Sequence, residues 1–319
     1  MTSYKTKIIL CLICLLTTFP LQAGLFGISF KDKQEFVQAR QLYENAQYEQ
    51  AVNALSAYIY KTEKIKRREA RAYRLLGLSY EQLNRPEKAL EVYVEALEFH
   101  KDNIPLLLAA ASLYQRTQLL DQSIELYNRV LELDPNHTEA LSGQAMNYSH
   151  MGFYSKSRHY FDRFFELNPK ASAQYRAAYA YTFLKQRDFQ NAFIHITMAK
   201  MEDLTNVNYW LHSALAYRGM QMMPEALADI DIAIELAPDN TELKAIKMIW
   251  LYQNNQVENS LQAARELLKT DPKNELALFM VYRNLKDTKP KQARQALQQI
   301  IHLNNDSFAN RVAKKILSK

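Results

Sequence analysis

From Ala70 onward, apolar residues recur at the spacing of one face of a helix. Tyr73, Leu76, Gly77 and Tyr80 stand at i, i+3, i+4 and i+7; a polar turn at Asn84 to Pro86 follows, and Ala89, Tyr93, Ala96 and Leu97 resume the period. This pattern predicts one helix, a tight turn and a second helix running back along the first. The unit then repeats. Tyr80, Tyr114, Tyr148, Phe183, Tyr217 and Leu251 are separated by 34 or 35 residues, as are Ala89, Ser123, Ser157, Ala192, Ala226 and Ser260. Tyr93, Tyr127, Phe161, Ile196, Ile230 and Ala264 form a third register in phase with these, and Pro135, Pro169, Pro238 and Pro272 follow the same count. Three registers in phase exclude coincidence and point to stacked helix pairs, each burying its apolar face against the next.

Small residues at facing positions of a pair (Ala111 with Ser123, Ala145 with Ser157, Ala214 with Ala226) predict close approach of the two helices, with aromatic residues filling the remaining space. Where the recurrent proline stands, it ends the second helix and turns the chain into the next pair.

These residues resemble the tetratricopeptide repeat family. Tyr73, Leu107, Leu141 and Trp210 stand at the family's large fourth position, and Leu76-Gly77 retains its Leu-Gly pair. The tyrosine, small, aromatic and proline positions match as given above. The resemblance implies an all-α fold, a right-handed α-solenoid (superhelix) of about eight helix pairs. They start near Asp32, Ala70, Ile104, Thr138, Ala173, Val207, Thr241 and Glu275, and a C-terminal capping helix follows from Phe308 to Lys319. The match is strongest in repeats two to six and weaker in the seventh, where Lys244 and Lys247 replace large apolar residues. The first and last repeats are atypical, as expected where one side faces water.

The family binds ligands along its first helices. That implies a protein or peptide partner in a groove lined here by Leu78, Leu108, Met146, Tyr181, Leu184, Leu211, Leu215, Ile249 and Tyr252, with Arg74, Arg116, Lys185 and Arg218 orienting it. The same spacing also fits residues buried between helices. The Lys and Asn combination with which the family's chaperone adaptors clamp a terminal carboxylate does not occur at the corresponding positions. A second candidate surface is the basic run Lys61, Lys64, Lys66, Arg67, Arg68, Arg71 and Arg74, which outnumbers Glu63 and Glu69. It reads either as a solvated loop and helix start or as a contact for an anionic partner or membrane headgroups.

Composition narrows the function further. Only six glycines occur in 319 residues, and no three lie within six positions, so no dinucleotide fingerprint or P-loop can be built and no cofactor is expected. A net charge of +6, with 40 basic against 34 acidic residues, is too small an excess for a nucleic-acid binder. The seven histidines include no pair at i, i+4 and no HExxH, so no metal site is expected, and no nucleophile constellation suggests an enzyme. Residues 1–23 read as a secretory signal. Lys5 and Lys7 precede the apolar run Ile8 to Phe19, which is too short to span a bilayer, and Leu21-Gln22-Ala23 offers a cleavage site. Both cysteines, Cys11 and Cys14, fall within it, and residues 24–31 form a linker to the repeats at 32–319. The expectation is an exported, periplasmic interaction scaffold of a bacterial cell envelope, serving envelope assembly or secretion. The alternatives are a cell-wall or division coordinator, a small-ligand-binding repeat protein, and an inner-membrane anchor formed by an uncleaved signal.

Overall fold

The computed structural model describes residues 30–64, 69–303 and 305–318. The expected signal segment therefore lies outside the described residues. Among them there are 17 helices and no strand. Consecutive helices pair: α1 (Phe30–Glu44) with α2 (Tyr48–Lys64), α3 (Ala70–Gln82) with α4 (Pro86–Phe99), and α5 (Ile104–Arg116) with α6 (Leu120–Leu133). The series continues with α7 (Thr138–His150) and α8 (Tyr154–Leu167), α9 (Ala173–Lys185) and α10 (Phe189–Glu202), and α11 (Val207–Gly219) and α12 (Met223–Leu236). The last pairs are α13 (Thr241–Gln253) with α14 (Val257–Thr270) and α15 (Glu275–Leu285) with α16 (Pro290–His302), closed by α17 (Phe308–Leu317). This is the all-α arrangement of paired helices that the 34-residue period predicts. None of the described helices is long and apolar enough to cross a membrane.

The described residues up to Gly143 and those from Gln144 onward form two compact units. In the first, the core gathers Leu55, Tyr73, Ala89, Tyr93 and Leu106, with a further cluster at Leu107, Leu108, Ala111, Tyr127 and Val130. In the second, separate clusters form around Ala180 and Ile196, around Ile230 and Trp250, around Met248 and Leu267, and around Leu278 and Ile300. Each cluster joins a few neighbouring helices, as expected when every pair completes its core against adjacent pairs.

Within a pair, the small positions set the distance between helices. Ala89, Ala192 and Ala226 are fully buried. Where serine replaces alanine, its hydroxyl donates across the contact to a carbonyl of the facing helix: Ser123 to Ala111 O at 2.8 Å, Ser157 to Ala145 O at 2.7 Å and Ser260 to Met248 O at 3.0 Å. A backbone and a β-carbon thus meet with nothing between them, and the hydroxyl is satisfied despite burial. The aromatic residue one turn further along the second helix fits against a similar gap. A β-carbon added at Gly77 would lie 2.2 Å from the ring of Tyr93 within the α3–α4 pair, and one at Gly143, on the first helix of the following pair, would lie 2.3 Å from the ring of Tyr127 on α6. The buried tyrosines keep their hydroxyls at the edge of the core, where carboxylates receive them: Tyr93 donates to Glu81 Oε1 at 2.6 Å and Tyr58 to Glu69 Oε2 at 2.8 Å.

The turns are as regular as the cores. Seven first helices end in the same way. The amide three residues past the helix end donates back five residues, as in Arg85 to Tyr80 O and Leu119 to Tyr114 O, both at 2.9 Å. The residue between adopts a left-handed conformation: Ala46, Asn84, Gln118, Gly152, Arg187, Gln221 and Asn255 all have positive φ. This is the Schellman ending, at which glycine is usual; here Gly152 alone among the seven is glycine. Second helices end differently. The carbonyls of Asp134, Asn168, Ala237 and Asp271 accept from the amides of His137, Ala171, Asn240 and Asn274 at 3.0–3.1 Å, which places Pro135, Pro169, Pro238 and Pro272 at the second position of a β-turn. Asparagine then opens several first helices, with Asn103, Asn206, Asn240 and Asn274 accepting from amides of the first turn.

Gly77→Ala is expected to destabilise the protein by about 1–3 kcal/mol, because the fully packed Tyr93 ring must shift to admit the methyl group. Gln118→Gly is expected to stabilise it by about 0.5 kcal/mol, as relief of left-handed strain exceeds glycine's added unfolded-state entropy. Urea denaturation of the two variants against the parent chain measures both effects.

Candidate functional site

The groove residues anticipated from the sequence fall into different environments. In the first unit, Leu78 is half-buried, whereas Leu108 is only 9% exposed and packs in the core with Leu107, Ala111 and Tyr127. The expectation that Leu108 lines an open stripe is therefore corrected: its side chain completes the contact between adjacent helices. Arg116 forms an ion pair with Glu81, the same carboxylate that accepts from Tyr93, so its charge is already engaged. Arg74 is exposed on α3.

The basic run near the end of α2 is also partly engaged. Lys61 bonds Glu35 at 2.9 Å, the Lys64 ammonium lies 4.2 Å from the centre of the Tyr60 ring, and the Arg71 guanidinium lies 6.0 Å from that of Phe36. Lys66, Arg67 and Arg68 lie outside the described residues.

The second unit holds the better-formed site. Leu211, Leu215 and Ile249 are half-buried against a core of Ala214, Ala226, Ile230 and Trp250. Tyr252 accepts from the Arg283 guanidinium at 3.2–3.3 Å. Around these, two cavities open on either side of Tyr181. One, of about 660 Å³, is walled by Tyr181, Leu184 and Lys185 from the last turn of α9, by Leu215 and Arg218 from the last turn of α11, and by Gln253 and Asn254 at the end of α13. It thus brings together five residues anticipated for the groove. It also adds Arg187 and Gln221, which the apolar pattern did not single out because they occupy the left-handed turn position rather than a helix face. Phe189 covers Gly219 at the base, where an added β-carbon would lie 2.2 Å from its ring.

The charges at this cavity are all of one sign. Lys185, Arg187 and Arg218 line it, and none of the described lining residues is acidic. Lys185 lies 5.0 Å from the centre of the Tyr181 ring, and hydrogen bonding to the Tyr181 hydroxyl holds its ammonium above the ordinary lysine range. Arg218 lies 5.2 Å from the Trp250 ring centre and donates to Gln253 Oε1 at 2.8 Å. These are contacts with neutral groups, which leave the cationic charge uncompensated.

The other cavity, of about 560 Å³, is lined by Met146, Ser149, His150, Gln174, Tyr181, Asn206, Asn208, Tyr209 and His212. Its polar groups are amides, hydroxyls and imidazoles. The His212 ring lies 5.5 Å from that of Tyr181, and its buried Nδ1 has no hydrogen-bond partner among the described residues. Burial, reinforced by the charge of Lys185, lowers its pKa to about 4, so His212 is neutral near pH 7. Among the described residues no group of His, Cys, Asp and Glu is placed to hold a metal ion.

A lowered histidine pKa makes folding sensitive to acid. From about pH 6.5 down to about 4, the unfolded chain binds a proton at this position that the folded chain does not, so stability falls as pH falls through that window. Between pH 7 and pH 4.5, His212 is expected to account for a loss of about 2 kcal/mol. Urea denaturation of His212→Leu at the two pH values should show a correspondingly smaller loss. Burial also lowers the pKa of His195, whose share persists in that variant.

Models of the tetratricopeptide repeat match residues 36–104 and 81–147. No curated protein matches the sequence. Among solved structures, the chain is similar to a tetratricopeptide repeat protein from Parabacteroides merdae, at 19% identity and a TM-score of 0.58 over 81% of this chain and all of that one. It is also similar to PilW, described as a widely conserved type IV pilus biogenesis factor, at 13% identity and a TM-score of 0.57 over 66% of this chain and 98% of that one. A third, YrrB, described as a TPR protein with an unusual peptide-binding site, aligns at 17% identity and a TM-score of 0.53 over 59% of this chain and 97% of that one. At these identities the likeness is one of fold. Tetratricopeptide repeats are thus matched over residues 36–147, and helix pairs of the same kind continue beyond them, as the repeat resemblance implies.

Proposed function

We propose that this protein is an interaction scaffold that holds a segment of a partner protein against the first helices of its second unit, in the envelope of a bacterial cell. The observation that carries this reading is the pair of open cavities meeting at Tyr181. Aliphatic side chains, amides and cations with no carboxylate partner surround a space of peptide dimensions, a surface suited to binding and orienting a segment. Two of the similar folds support the class of activity, since one is described by its peptide-binding site and another as a pilus biogenesis factor. The envelope location rests on residues 1–23, whose charged start, short apolar run and small residue at the cut have the form of an export signal.

Within that reading the protein serves assembly or secretion in the envelope and docks its partner without chemical change. Crosslinking in intact cells followed by mass spectrometry tests it, comparing the wild-type chain with Leu184→Asp, a change at a half-buried cavity wall. One envelope protein should be captured by the wild type and lost by the variant, while thermal melting shows the variant still folded. Capture of the same proteins by both would exclude this surface, and capture of a small molecule or glycan strand alone would replace the protein partner. The exported chain should begin at Gly24, which N-terminal sequencing reads directly; a chain beginning at Met1 in the membrane fraction would indicate an anchor instead.

A further inference from the structure

We infer that the cavity between the ends of α9, α11 and α13 receives the side-chain carboxylates of an acidic partner segment, and that the amide-lined cavity beyond Tyr181 takes the neutral part of the same segment. The inference rests on the scaffold reading and adds the chemistry and orientation of the partner.

First, the cavity contrasts with four cations elsewhere in the same unit that do have an acidic partner. Arg158, Arg176, Lys200 and Lys247 each have a carboxylate within 4.0 Å: Asp188, Glu202, Asp229 and Asp231 respectively. At the cavity, Lys185, Arg187 and Arg218 converge with no carboxylate in reach, and the remaining polar lining is neutral. Three like charges around one concavity repel one another and lose solvation as a ligand closes over them, unless the ligand supplies the opposite charge.

A second argument concerns the helix ends. Three C-termini meet here, and each carries a partial charge of about −0.5, which disfavours an anion. Their sum, about −1.5, is half the +3 of the side chains. One carbonyl near each end, those of Phe183, Tyr217 and Leu251, is also occupied by the Schellman bond from Asp188, Met222 or Gln256. The cations therefore dominate the local field, and the site favours an anion.

Third, the position of Arg187 is costly. It occupies a left-handed turn at φ 62°, where glycine or asparagine is favoured and stands in three of the equivalent turns (Asn84, Gly152 and Asn255), while Ala46, Gln118 and Gln221 bear the same cost in the others. Arg187 adds a third cation to the cavity lining at the expense of local backbone preference. Tyr181 faces both cavities, with Lys185 on one side and His212 on the other. A segment crossing it passes from a cationic site to one of amides and neutral imidazole, and this asymmetry sets its direction.

The test uses a random library of capped 12-residue peptides, selected against the full chain and against the triple variant Lys185→Ala, Arg187→Gly, Arg218→Gln. Arg187→Gly suits the turn, so loss of the cation carries no folding penalty. A control variant with Lys269, Lys273 and Lys289 changed to Ala, all exposed elsewhere on the unit, loses the same charge. Peptides enriched by the wild type should carry clustered Asp or Glu toward one end. Their affinity by fluorescence anisotropy should fall at least tenfold in the triple variant and less than threefold in the control, and should weaken steeply with salt. Enrichment without acidic bias, or equal loss in both variants, would overturn the inference while leaving the scaffold standing. Enrichment only from a parallel library with free C-termini would assign the cations to a terminal carboxylate instead. If no peptide is enriched, the scaffold reading falls as well.

Discussion

The structure depends on how closely two helices of a pair can approach. At one level of each pair the second helix presents alanine or serine, and where serine stands its hydroxyl reaches a carbonyl of the first helix at 2.7–3.0 Å. That separation leaves room on the adjacent turn for one large ring, such as Tyr93 over Gly77, and Tyr127 meets Gly143 of the next pair as closely on its other side. A wider separation would strand the rings in a void, and a narrower one would exclude them. The 34-residue period is the spacing at which this contact recurs.

The turns follow from that geometry. For the second helix to lie back along the first, the chain must reverse within a few residues. The left-handed residue of the Schellman ending does this whether or not it is glycine. Glutamine, alanine and arginine at that position show that packing on both sides outweighs a local cost of about 1–2 kcal/mol. Proline sits where the opposite reversal needs a fixed φ and no amide donor, so the two kinds of turn are chemically distinct and alternate without ambiguity. A scaffold built this way can vary the surfaces of its first helices while the contacts between helices stay constant. The cationic cavity in the second unit and the Arg116–Glu81 ion pair of the first show how far two stretches of the same repeat can diverge.

Much of the fold was legible because its determinants are local and periodic. Tyr73, Leu76, Gly77 and Tyr80 announce a helix face, and the small and aromatic registers announce the partner that face must meet. The site was legible in part. Tyr181, Leu184, Lys185, Leu215 and Arg218 were singled out by their place on first helices, and they do line one cavity. Leu108, chosen by the same rule, lies in the core, because periodicity identifies a helix face without stating how much of it a neighbour covers. Arg187 and Gln221 escaped notice because a turn position has no place in a helical period, although each stands at a fixed offset from the small position that follows it.

The sequence by itself determined that the chain is all-helical, that its helices pair, and which residues hold each pair together. Those outcomes depend on side-chain size and backbone preference at fixed spacing, and both can be read residue by residue. Only the tertiary structure decided which apolar residues are covered, which cations have found a carboxylate, and that three of them converge without one. Burial and charge pairing depend on side chains brought together from helices some 30 residues apart, as Lys185 and Arg218 are here. No local pattern records the distance between them.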